Sequence, residues 1–211
     1  AYNSTAFNHF DAIQAINTFQ YNEIDLINNK YNLKIKPFKS KYSFLDLAKK
    51  TKIKKNKLLI APTWNTDFYK NNIHIKLFDL LNKNKINFEF RPHFMSIKKK
   101  EIDLQKLNNI NFNLDYYIDL SEYNNLITDW SGIYLEFAII NKRKPILIET
   151  KKKINNKNYS YENNITVEEK YRKLIGNNIS QDNLNECLIL IDFVDENETK
   201  LINEIIYEIF Y

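Results

Sequence analysis

The chain has 211 residues, 44% hydrophobic and 14% aromatic, which is enough apolar material for a buried core and excludes intrinsic disorder as a description of the whole. Its charge is +5, 31 Lys and Arg against 26 Asp and Glu, a surplus that permits anionic partners without specifying one. The single cysteine, Cys187, excludes an internal disulfide framework and cannot make a zinc site by itself, and the longest unbroken apolar run, Cys187 to Ile191, is far shorter than the roughly 20 residues of a membrane span.

The opening AYNSTAFNHFDAIQ has neither a basic leader nor an apolar signal core, and it begins without Met, as a piece of a longer chain would. Short apolar runs then alternate with helical patterns, the signature of βαβ units and a parallel sheet. The predicted strands are Asp11 to Ile16, Lys57 to Ala61, Ile86 to Phe90, Asn125 to Thr128 and Pro145 to Glu149. Helices are expected over Gln20 to Tyr31 and over Asp67 to Asn82, where Ile73, Leu77, Phe78, Leu80 and Leu81 recur at i, i+3, i+4 spacing. Ser131 to Ile140 is apolar almost all round, as befits a helix packed between a sheet and a neighbour. The Asn- and Lys-rich stretch from Lys151 to Asn164 reads as a long loop, and Asn197 to Tyr211 as an amphipathic docking helix. The fold class is therefore α/β, a Rossmann-like parallel sheet with helices on both faces.

Only two glycines occur, Gly132 and Gly176, so neither a G-x-G-x-x-G dinucleotide fingerprint nor a P-loop can be present. Ligands on open α/β sheets bind beyond the carboxyl ends of the strands, so the residues just past each apolar run are the candidates for binding. Thr63 and Trp64 come after the second run, Arg91 and His93 after the third, and Thr128, Asp129, Ser131 and Gly132 at the end of the fourth. A helix beginning near Ser131 offers backbone N–H groups and the positive end of its dipole to an anion such as phosphate, and Gly132 removes a side chain that would bar close approach. The plainer reading is that Asp129 or Ser131 only caps that helix. His93 can donate to a diphosphate or exchange a proton near neutrality. Glu136, about one turn into the helix, can accept from ribose hydroxyls, or it is a solvated glutamate. Trp64 either stacks on a base or plugs the core. His9 and His74 read as structural. The lysine clumps, among them Lys98 to Lys100 and Lys151 to Lys153, read mainly as solvated surface, with no recognisable nucleic-acid motif.

In their order and separation, APTW (residues 61–64), RPH (residues 91–93) and ITDWSGIYLEFA (residues 127–138) resemble the CDP-glycerol glycerophosphotransferase family, the teichoic-acid- and capsule-type transferases of two-domain, GT-B-like architecture. The likeness extends to FDAIQAINTFQYNEIDLINNKYNL near the start, to SKYSFLDLAKK, and to YRKLIG with Arg172 and Gly176. It implies that residues 1–211 form one donor-nucleotide domain, the donor half of such a fold, with 1–40 as a lead-in and linker segment and 195–211 as the docking helix. His93 would be the catalytic residue. Arg91, His93, Ser131 and Gly132 would hold the donor phosphates, and Thr63, Trp64, Thr128, Asp129 and Glu136 the rest of the nucleotide. No metal and no cofactor is expected. The implied partners are a CDP-activated donor, a polymer or lipid-linked acceptor and an amino-terminal acceptor domain, with peripheral contact at the inner face of the cell membrane, a cytoplasmic setting and no nucleic acid.

The chain departs from the family pattern at Asn65, where Arg is common, at Phe94, where Pro is common, and at Gly132, where a second Ser is common. These positions leave the donor open among CDP-glycerol, CDP-ribitol and other activated units. The family's acceptor half supplies a His-Gly segment as general base, and no His-Gly pair occurs here, so the chain by itself is expected to be inactive. The alternative reading is a non-catalytic nucleotide-binding or regulatory α/β module.

Overall fold

The computed structural model describes residues 7, 9–43, 45–46, 57–107, 109–152, 167–192 and 197–210. Most of the loop expected over Lys151 to Asn164, and much of the helix expected in SKYSFLDLAKK, lies outside the described residues.

The chain first makes a small βαβ unit: β1 (Ala12–Ala15), α1 (Thr18–Tyr31) and β2 (Lys36–Lys39). Asn17 caps α1 by accepting from the Gln20 N–H at 2.8 Å, while Gln20 Oε1 accepts from the Ile16 N–H at 3.0 Å, a reciprocal arrangement that satisfies donors at the helix start. β1 and β2 pair in parallel as their own two-stranded sheet. The first predicted strand thus does not join the main sheet, because α1 returns the chain alongside β1 and β2 takes its hydrogen-bonding edge.

Five strands form the main sheet: β3 (Leu58–Ile60), β4 (Phe88–Phe90), β5 (Asn125–Thr128), β6 (Ile146–Glu149) and β7 (Asn177–Ser180). Their order is β4-β3-β5-β6-β7 and every pairing is parallel. The helices are α2 (Asp67–Lys70), α3 (Ile73–Lys83), α4 (Phe94–Lys98), α5 (Ile133–Asn141), α6 (Val167–Ile175), α7 (Glu186–Asp192) and α8 (Glu198–Phe210). The helix expected over Asp67 to Asn82 is two, because Asn72 adopts the left-handed conformation (φ 54°) and breaks the hydrogen-bond ladder between them. None of the described helices is long and apolar enough to cross a membrane.

Alternation along the central strands shows why both faces are covered. Leu58 and Ile60 of β3, Ile127 of β5, and Ile146 and Ile148 of β6 pack on one face with Leu77, Phe78 and Leu81 of α3 and Cys187 of α7. Leu59 and Leu126 pack on the other with Phe137 and Ile140 of α5, while Leu147 meets Ile139 of α5, Tyr171 of α6, and Ile202 and Ile206 of α8. Each such side chain contributes about 1.5–3 kcal/mol on burial, so continuous apolar runs suit these strands better than half-polar ones. Helix α5 touches both of the latter clusters, which explains its all-round apolar sequence. His74 is buried among Phe68, Tyr69 and Phe78, with its Nδ1 3.2 Å from the Phe68 carbonyl.

Candidate functional site

The chain runs from β3 to β4 on one side, then crosses back so that β5 lies on β3's other side. The strand order reverses between β3 and β5, and the turns leaving adjacent strands there diverge and open a crevice. A cleft of about 770 Å³ occupies this position. Its walls are Ala61 and Pro62 after β3; Arg91, Pro92, His93, Phe94 and Ile97 after β4; Asn113 to Tyr116; and Ser131 and Ile133 after β5. Its volume and apolar walls are those of a small-molecule site.

Three groups there are able to donate hydrogen bonds to a ligand. His93 is the N-cap of α4, and its Nδ1 accepts from the Met95 N–H at 3.1 Å. With that nitrogen accepting, the neutral ring carries its proton on Nε2 and is a donor from that atom. Arg91 donates from Nη1 to Asn113 Oδ1 at 2.8 Å and from Nη2 to the Tyr116 carbonyl at 3.2 Å, which leaves further guanidinium N–H groups for a ligand. At the start of α5, Tyr134 N donates to Ser131 O and Leu135 N to Gly132 O, so the amides of Gly132 and Ile133 precede the first intrahelical bond. A Cβ on Gly132 would meet nothing within 4 Å, and its φ of −62° is ordinary. Neither packing nor conformation requires glycine there, and the space where its side chain would stand is open.

Three further predicted residues, Thr63, Thr128 and Asp129, are buried and do not line the cleft. Asp129 is fully buried; Oδ1 accepts from the Thr63 N–H and Oδ2 from the Thr66 hydroxyl, both at 2.7 Å. Burial pushes its carboxyl up, against the pull of those two donors and of Arg172. Thr128 donates its hydroxyl to the Ala61 carbonyl at 2.7 Å. Behind them Arg172, itself buried, donates from Nη1 to the Asp129 carbonyl and from Nη2 to the Ile148 carbonyl at 3.2 Å, and lies 4.4 Å from the Trp130 ring centroid. The Trp130 indole N–H donates to the Thr150 carbonyl at 2.9 Å. The Thr63 N–H, the Thr128 hydroxyl and the Asp129 carboxylate therefore tie the β3 and β5 turns together.

Trp64 stands beside the cleft, 6.3 Å from the His93 ring, with the Lys99 ammonium 4.0 Å over its centroid. Glu136 faces away from it and accepts from the Tyr42 hydroxyl at 2.9 Å; burial raises its carboxyl above the ordinary range.

The structure thus brings Arg91, His93 and Ser131 to the walls of one cleft; Gly132, between Ser131 and Ile133, is exposed and is not one of its lining residues. The segment 113–116, absent from the sequence-level expectations, completes it. No local signal flags it, because Ile110 and Phe112 alternate with asparagines and make no apolar run.

A doubly wound α/β domain with basic and helix-terminal groups beside its switch point is the class of protein defined here. Comparison with known proteins narrows this. The chain belongs to the CDP-Glycerol:Poly(glycerophosphate) glycerophosphotransferase family, whose profile matches residues 24–207. Among solved structures it is similar to that of the wall teichoic acid polymerase TagF, at 17% identity and a TM-score of 0.48, over 95% of this chain and 53% of that one. A TagF variant soaked with CDPG matches at 18% identity and the same TM-score, over 95% of this chain and 52% of that one. The chain thus spans about half the length of these structures. No curated protein matches it.

Proposed function

We propose that this chain binds the CDP-activated donor of a glycerophosphate-type transfer to a cell-surface polymer, with the cleft at the switch point as the donor site. The observation that carries the proposal is the convergence of Arg91, His93 and the open amino end of α5 on one cleft, in a member of a glycerophosphotransferase family. The diphosphate lies across Arg91, His93 Nε2–H, the Ser131 hydroxyl and the amides of Gly132 and Ile133. The pyrimidine and ribose take the apolar walls. The ribose hydroxyls fall to Asp115, the carboxylate on the cleft wall, because Glu136 is engaged by Tyr42.

In the reaction the acceptor hydroxyl oxygen attacks the β-phosphorus and the bond to the bridging oxygen breaks. CMP leaves, and the hydroxyl proton passes to a base outside this chain, on an acceptor half. What this chain supplies is positioning and neutralisation of charge on the departing cytidylate, through His93, Arg91 and the helix terminus. The polymer or lipid-linked acceptor and peripheral contact with the inner membrane face belong to the same proposal.

Calorimetry with CDP-glycerol, CDP, CMP, UDP and an unrelated oligonucleotide tests it. CDP-glycerol and CDP should bind, with His93→Ala weakening them roughly 10- to 100-fold, as loss of a hydrogen bond to a charged group does, and Ser131→Ala weakening them less. Failure of every cytidine nucleotide to bind, or salt-steep binding of the oligonucleotide alone, would defeat the proposal.

A further inference from the structure

We infer that Asn113 is a positioning residue of this cleft, which, held in one orientation by Glu89, aims the Arg91 guanidinium at the donor phosphates. The inference rests on the donor-binding reading above.

The backbone sets the stage. Residues 111–113 run beside the outer edge of β4: the Phe90 N–H donates to the Asn111 carbonyl at 2.8 Å, the Asn113 N–H donates to the Phe90 carbonyl at 3.0 Å, and Phe90 and Phe112 form a parallel bridge. Side chains alternate along extended backbone, so Phe90 and Phe112 share one face, their rings 6.1 Å apart. Glu89, Arg91, Asn111 and Asn113 share the other.

On that face Glu89 is only 8% exposed and accepts from Asn113 Nδ2 at 2.7 Å, from the Tyr123 hydroxyl, and from Lys57 Nζ at 3.4 Å. Burial alone would lift its carboxyl, but these donors and the Lys57 charge together hold it below the ordinary value. An ionised carboxylate can only accept. Asn113 must therefore turn its NH₂ toward Glu89, and its Oδ1 then faces the other way. There it accepts from Arg91 Nη1 at 2.8 Å and from the Asp115 N–H at 3.2 Å. A flipped amide would set its NH₂ against both the guanidinium and that backbone N–H. A second bond, from Arg91 Nη2 to the Tyr116 carbonyl, fixes the plane of the fork. An arginine held in this way before the ligand arrives loses little further rotamer freedom on binding.

The test is a double-mutant cycle read by calorimetry with CDP-glycerol on the full chain, with the thermal midpoint of each variant recorded alongside. Asn113→Ala should weaken CDP-glycerol roughly tenfold, the scale of one charge-assisted hydrogen bond. In an Arg91→Ala background the same substitution should cost less than about twofold, because the group it positions is gone. A merely structural role would cost the same factor in both backgrounds, and that result overturns the inference while leaving the donor site intact. Asn113→Ala with unchanged affinity, where Arg91→Ala weakens binding, overturns it equally. If Arg91→Ala and His93→Ala both leave affinity unchanged, the donor-site reading falls and this inference with it. Should Asn113→Ala fail to fold, Glu89→Gln keeps the volume but no longer dictates the orientation of the Asn113 amide; it should weaken CDP-glycerol about two- to threefold, and only when Arg91 is present.

Discussion

Asp129 and Ser131 are two residues apart and meet opposite surroundings. Asp129 is buried and satisfied from two directions, by Thr63 and Thr66 through its carboxylate and by Arg172 through its carbonyl. Ser131 stands on the wall of an open cleft, next to a glycine whose missing side chain leaves empty space. The two glycines repeat the contrast. At Gly176 a Cβ would lie 2.0 Å from Leu147 Cδ1 and 3.1 Å from the Arg172 carbonyl, so any larger residue must displace the buried Leu147 side chain. A rigid clamp lies behind and an open helix end in front. The donor site proposed above needs both, since donors that must not move at the moment of reaction have to be held by groups that never meet the ligand.

The comparison breaks most severely at Arg172. Arg172→Met leaves the Asp129 and Ile148 carbonyls and the buried Asp129 carboxylate without their cation, and should cost about 3–5 kcal/mol in urea unfolding. Retention of full stability would show the clamp to be ornamental. Next in size is Gly176→Ala, expected to lose about 1–3 kcal/mol by overpacking against Leu147, measured in the same way.

A pH series sharpens the picture at the other edge of the site. Glu89 is held below its ordinary value of 4.5, so its stabilising contribution is present above about pH 4.5 and is lost as pH falls through the lower folded-state value. Glu89→Gln should flatten the dependence of the unfolding midpoint on pH in that acid range and leave its shape at neutral pH unchanged.

The smallest effect on stability belongs to Gly132→Ala. The backbone there is ordinary and the space is open, so the midpoint should shift by no more than about 0.5 kcal/mol. The same methyl group would enter open space beside the helix end, so under the donor-site proposal CDP affinity should fall even though the fold does not notice. A loss of stability comparable to that of Gly176→Ala would erase the distinction between the two glycines.

Much of this was legible in the chain. The predicted strands ending at Ala61, Phe90, Thr128 and Glu149 each became a parallel strand, the first ending one residue sooner at Ile60, because a strand covered on both faces is mostly apolar. The edge strand β7, Asn-Asn-Ile-Ser, went unnoticed for the complementary reason: only Ile179 of its four residues is buried, so it carries no hydrophobic pattern. Strand β2 exposes three of its four residues and escapes in the same way.

The site divides along the same line. That Arg91, His93 and Ser131 come after strands is a fact of sequence, and parallel pairing is enough to gather the ends of those strands on one side of the sheet. The direction in which each side chain turns is not encoded so locally. Asp129 points inward because Thr63 and Thr66, more than sixty residues earlier, offer it donors, and Glu136 turns to Tyr42, ninety-four residues away. Asn113 reaches Arg91 only because residues 111–113 lie along the open edge of β4. Hydrophobic periodicity and turn residues, which act over a few positions, determined the strands and their order of use. Hydrogen-bond partners brought together by folding decided which polar groups were spent on the scaffold and which were left facing the cleft.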